Sequence, residues 1–135
     1  MAMACSSSSN GGPPEHVSQD GSFGFDGDGW VRDTTTSNDV WRKGDAKIVL
    51  ELGTSTFADS RTWAESDVLD GVPILLQPTA IGSSGAYWFG WHADDGLDVY
   101  EWYFIGGGHR IHAEMSAATL SQADAEASLS TVRPL

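Results

Sequence analysis

Residues 87–115 read YWFGWHADDGLDVYEWYFIGGGHRIHAEM, and this stretch decides the fold. Two turn formulas, Asp95-Gly96 and the run Gly106-Gly107-Gly108, separate three segments rich in aromatic and β-branched residues, the pattern of an antiparallel meander. A two-residue turn at Asp95-Gly96 pairs Asp94 with Leu97 and, moving outward, Trp91 with Tyr100, Phe89 with Trp102 and Tyr87 with Phe104. Those six aromatics then share one face, which their stacking and the hazard of leaving them in water assign to the core. A second turn at Gly106-Gly107 sets Trp102 against Ile111 and Tyr100 against Ala113 on that face. On the other face it sets Glu101 against His112 and Tyr103 against Arg110. Turning at Gly107-Gly108 instead would place Glu101 opposite Glu114, a like-charge pair, so the first register is the expected one.

Upstream of the meander, Ala46–Leu52 alternates, with Ile48, Leu50 and Leu52 on one side, and reads as a half-buried strand. Phe23–Phe25 and Trp30-Val31 read as short strands around the turn cluster Asp26-Gly27-Asp28-Gly29. Ser55 to Asp67, carrying Phe57 and Trp63, suits one short irregular helix. Gly71 to Gln77 suits an edge strand with Pro73 near its start, and Pro78 to Gly85 a loop. Downstream, Ser121 with Asp124 three residues on opens a helix whose apolar stripe is Ala125, Leu129 and Val132, and Pro134 stops it. The fold class is therefore α+β, an antiparallel meander with a C-terminal helix packed on it.

At the other end, Cys5 leads into Ser6-Ser7-Ser8-Ser9-Asn10-Gly11-Gly12-Pro13-Pro14. Such a segment buries too little apolar surface to offset its ordering entropy. We expect residues 1–20 to be a leash and residues 21–135 a single domain. Cys5, the only cysteine, is the expected lipidation site of a mature lipoprotein, with Met1-Ala2-Met3 standing where a signal peptide was removed. A lone cysteine also excludes an internal disulfide and any multi-cysteine zinc site. The 7 Lys+Arg against 19 Asp+Glu give a formal net charge of -12, which repels phosphate backbones and anionic headgroups. Nucleic acid is thus not an expected partner, and the membrane is expected to be met only through a lipid on Cys5.

The order of Phe23-Gly-Phe near Gly29-Trp30, the strand ending Lys47-Ile-Val-Leu-Glu-Leu, the strand Asp70-Gly71-Val-Pro-Ile-Leu, the aromatic meander and a terminal helix ending Leu129-Ser-Thr-Val-Arg resembles the PsbP-like α/β/α sandwich. That family includes small actinobacterial lipoproteins, type VII secretion-associated proteins and the PsbP subunit of photosystem II. Ser55 to Asp67 is shorter than the helix usual at that point of the family. The resemblance implies a non-catalytic envelope protein that binds a partner or a small ligand, and it supplies no catalytic motif.

The polar face of the meander gathers the candidate binding residues Trp88, His92, Glu101, Tyr103, Arg110 and His112, with Glu114 beside them. Two histidines and two carboxylates suffice for zinc or for acid/base chemistry if they converge; cross-strand ion pairing is the plainer reading. The aspartates of Asp26-Gly27-Asp28-Gly29 and Asp94-Asp95-Gly96-Leu97-Asp98 fall short of a calcium loop and read as turns. No nucleophile elbow, phosphate-binding glycine loop or His-Glu-x-x-His occurs. The expectation is a monomeric, extracytoplasmic, lipid-anchored binding protein without catalytic residues, metal or cofactor. Its partner is an envelope protein or a small apolar ligand; some of Trp30, Trp41, Trp63 and Trp88 either line a pocket or interface or simply fill the core, and the space between the sheet and the terminal helix, open or filled, separates a ligand from a protein partner. Two competing functions remain: an acidic immunity or inhibitor protein that covers a basic toxin or enzyme, and an enzyme using Glu101 and His112.

Overall fold

The computed structural model describes residues 12–53, 56–83 and 85–135. Cys5, and with it the expected lipidation, lies outside them. In chain order the described strands are β1 (His16–Val17), β2 (Phe23–Phe25), β3 (Val31–Arg32), β4 (Asp39–Lys43), β5 (Ala46–Leu52), β6 (Ile74–Ala80), β7 (Tyr87–His92), β8 (Asp98–Gly106), β9 (His109–Ala117) and β10 (Arg133–Pro134). Helix α1 (Phe57–Trp63) runs on through a π-helical turn (Ala64–Val68), and α2 (Gln122–Leu129) follows β9. The fold is α+β, with a seven-stranded antiparallel sheet in the order β3-β4-β5-β9-β8-β7-β6 and a small sheet β1-β2-β10.

The meander forms, in a different register from the expected one. Ala93 N–H donates to Leu97 O at 2.8 Å and Gly96 N–H to Ala93 O at 3.0 Å, so the first loop has three residues and Gly96 closes it at φ 90°. A glycine in the left-handed region is what a type I turn with a following bulge needs. The extra residue shifts the pairing by one, to Tyr87 with Tyr103, Trp88 with Trp102 and Gly90 with Tyr100. A slip of one residue reverses faces. The six aromatics therefore do not share a face: Tyr100, Trp102 and Phe104 join Trp88 on one side, while Tyr87, Phe89 and Trp91 join Tyr103 on the other.

The second turn is Gly107-Gly108, with φ 58° and 80°, because both central residues of a type I′ turn need positive φ. Gly106 stays in β8, where an added Cβ would meet Pro134 at 3.1 Å and Ile111 at 3.2 Å. Glu101 consequently lies opposite Glu114 and Tyr103 opposite His112, the register that charge repulsion argued against.

Each face of the large sheet is covered. On one, Ile48, Leu50, Trp88, Trp102, Ile111 and Ala113 pack with Ala125 and Leu129 of α2 and with Phe23 and Phe25 of the small sheet. The Ser121 hydroxyl accepts from Asp124 N–H at 3.1 Å, as the sequence predicts for the start of α2. On the other face, Ala64 and Leu69 cover Tyr87, Phe89 and Tyr103. The α1 helix begins at Thr56, whose hydroxyl accepts from Asp59 N–H at 3.1 Å.

Three further expectations are corrected. Residues 12–20 are not all leash: β1 pairs with β2, and Ser18 is buried with its hydroxyl near Phe23 N. Strand β6 continues through Pro78 to Ala80 rather than ending at Gln77, since an outer strand tolerates a missing N–H and absorbs it in a register shift between Leu76 and Thr79. Helix α2 ends at Leu129 with Ser130 as its C-cap, so Val132 lies beyond the helix, and Pro134, expected to stop it, instead pairs with Phe23 as part of β10.

Candidate functional site

Strands β5, β9, β8 and β7 bring Glu51, His112, Glu114, Glu101, Tyr103 and Trp91 onto the face that α1 covers. Period-two alternation puts Glu101 and Tyr103 on that face of β8 and His112 and Glu114 on that face of β9. Glu101 is 2% exposed and accepts three hydrogen bonds: from Trp91 Nε1 at 2.9 Å, from the Tyr103 hydroxyl at 3.2 Å and from His112 Nε2 at 2.9 Å. The other ring nitrogen of His112, Nδ1, lies 2.5 Å from Glu51 Oε1. One imidazole thus bridges a buried carboxylate and a half-exposed one on two different strands.

The electrostatics follow from that geometry. Burial disfavours a charged His112, yet its hydrogen bonds to Glu101 and Glu51 outweigh this and raise it to about 9. The same bond holds Glu51 below the usual carboxylate range. Burial and then the charge of Glu101 push Glu114 up, against the pull of His112 and Lys47. Burial likewise raises Tyr103, so its phenol keeps the proton it donates to Glu101. The Tyr103 ring stacks on His112 at 4.4 Å between centroids and on Tyr87 at 4.8 Å, and the Arg61 guanidinium lies 5.9 Å from the Tyr87 centroid. Rings from three adjacent strands therefore form one stack that holds the imidazole in place.

A cleft of about 440 Å³ opens beside this cluster, between α1 and the ends of β5 and β9. Its walls include Leu52, Trp63 and Tyr103 on the apolar side and Glu51, Asp59, Arg110 and His112 on the polar side. Trp63 is 47% exposed, an unusual position for so large an apolar ring. Against the terminal helix the core is filled, with Ala125 and Leu129 fully buried, and this cleft lies on the opposite face of the sheet.

Of the candidates read from the sequence, the structure brings together Glu101, Tyr103 and His112, with Arg110 on the cleft wall. Trp88 belongs to the opposite face, packed on Trp102 at 5.1 Å. His92 sits at the far end of β7, its Nδ1 2.8 Å from Asp98 Oδ1. Trp30, Trp41 and Trp88 fill the core, leaving Trp63 as the cleft tryptophan. The turn aspartates have local duties: Asp26 binds Arg133, Asp95 accepts from Leu97 N–H, and Asp98 accepts from Leu120 N–H. Sequence reasoning missed Glu51 and Asp59. The alternation of β5 shows that Glu51 lies opposite to Ile48 and Leu50, but only the pairing of β5 with β9 sets it beside His112. Comparison with protein families, with curated proteins and with solved structures finds no match for this chain.

Proposed function

We propose that this chain is a non-catalytic binding domain of the bacterial cell envelope, a PsbP-like sandwich tethered through a lipid on Cys5, whose cleft takes a small ligand with an apolar body. The observation that carries the reading is the cleft of about 440 Å³ whose apolar walls include Trp63, Tyr103 and Leu52, a size and lining typical of small-molecule sites. Its polar rim of Glu51, Asp59 and Arg110 favours a ligand that also carries a polar end. The test is to purify the protein from an envelope fraction, extract it with organic solvent and compare the extract by mass spectrometry with that of Trp63→Ala. A species held one-to-one by the wild type and lost from the variant supports the reading; an empty wild type, or equal retention by both, overturns it.

A second reading rests on the net charge of -12 and on the acidic outer side of α1 and its π turn, where Asp59, Glu65 and Asp67 are exposed. In that reading the chain is an immunity or inhibitor protein for a basic toxin or enzyme, and its association would weaken steeply with salt. Ligand capture in the cleft would respond little to salt.

A further inference from the structure

We propose that Glu101, His112 and Glu114 form a binding site for a divalent cation of the zinc type beside the cleft. One ligand atom from each lies within 4.8 Å of the others, on two adjacent strands of a rigid sheet. His112 Nε2 and Glu101 Oε1 are 2.9 Å apart, where two donors at roughly 2.0–2.2 Å from a common ion lie roughly 3–3.5 Å from each other. An ion can therefore replace the proton between them with little movement, and Glu114 closes the set from across the strand pair.

The donor types select the ion. One imidazole with two carboxylates suits a borderline cation such as zinc or manganese, whereas calcium asks for six or more oxygens and a thiolate-preferring ion finds no sulfur among the three. Groups outside the donor set are already in the places that metal sites use. Glu51 holds Nδ1 of His112 and so aims Nε2 inward; Trp91 Nε1–H fixes the second oxygen of Glu101; Tyr103 stacks on the imidazole. The charge argument points the same way. Two carboxyls face each other across β8 and β9; in the metal-free protein the His112 ring offsets their repulsion, and an ion at the same place would do so with a higher charge. Of the three donors, His112 lines the cleft, while Glu101 and Glu114 are not among its walls. This inference stands apart from the proposed function, since it concerns the ion alone.

The experiment is calorimetric titration of the EDTA-treated, dialysed full chain with zinc ions, on the wild type, Glu114→Gln, Glu51→Gln and His92→Gln. The expected result is one zinc per chain in the wild type and in His92→Gln. Glu114→Gln should weaken binding at least tenfold, and Glu51→Gln by about 10–100-fold through the orientation of His112. Glu114→Gln removes a like-charge contact, so its fold is retained, and a thermal melt without metal checks this. Addition of zinc should also shift the His112 ring protons in the NMR spectrum of the wild type. No binding by the wild type, or zinc binding unchanged in Glu114→Gln, overturns the proposal, the latter by assigning the ion to other donors.

Discussion

Two carboxylates from different strands hold the two ring nitrogens of His112, and this arrangement makes the protein's stability depend on pH in a definite direction. In the metal-free protein the folded His112 titrates at about 9, above the ordinary imidazole value. The charged ring therefore stabilises the fold fully below about pH 6.5, and that contribution is lost as pH rises through 9. The groups that set it are Glu101 on β8 and Glu51 on β5, while Glu114 on β9 lies beside the ring and Arg110 and, from α1, Asp59 lie around the cleft. Urea midpoints of EDTA-treated protein should fall between pH 6.5 and 10, and Glu51→Gln should flatten that fall; a profile with the same slope in both would remove Glu51 from the account. Glu101 and His112 were legible as a pair from the sequence, but as direct cross-strand partners. They are instead diagonal neighbours, and the like-charge penalty that argued against this register is met by an imidazole held from a third strand.

At the scale of the element, the β7–β8 hairpin shows what sequence can and cannot supply. The strands and the turn position are readable from alternation and Asp-Gly, whereas the choice between a two- and a three-residue loop depends on which register packs both faces. Gly90 is part of that choice. An added Cβ would come within 2.4 Å of the Tyr100 ring, so the ring lies directly over the glycine backbone, and Gly90→Ala would force it out of place. Such overpacking costs about 1–3 kcal/mol. The expected reading is a lowered urea midpoint with unchanged slope, and a variant as stable as the wild type would show that the ring has room to move. Helix α1 was expected as short and irregular, and it is. The π turn widens the helix so that Leu69 N–H reaches Ala64 O at 2.8 Å, and it brings both residues onto the Tyr87–Phe89–Tyr103 surface. Nothing in local propensity marks that widening; it follows from the surface the segment has to cover.

At the scale of the whole molecule, distant parts of the chain are fastened together through β2. Strand β1 pairs on one side of it and β10 on the other, and Arg133 Nη1 lies 2.7 Å from Asp26 Oδ2. Burial opposes the charge on Asp26, but Arg133 and the Glu15 N–H outweigh it and hold the carboxyl below its usual range. A lowered folded pKa contributes stability above the ordinary carboxylate value that is lost as pH falls through the folded one. Arg133→Gln should therefore be less stable than the wild type at pH 7, and the gap should close as the pH falls below the ordinary carboxylate value; a gap that persists in acid would assign the loss to packing. None of these pairings has a local signature, which is why the first twenty residues read as leash and β10 as the end of a helix. The clamp on β2 also sets an order of events during synthesis. At roughly 5–20 residues per second, Phe23–Phe25 leaves the ribosome several seconds before its partner Arg133–Pro134 exists. Through that interval Phe23 and Phe25 lack one of their two neighbouring strands, so the small sheet cannot be completed before Arg133–Pro134 has been made.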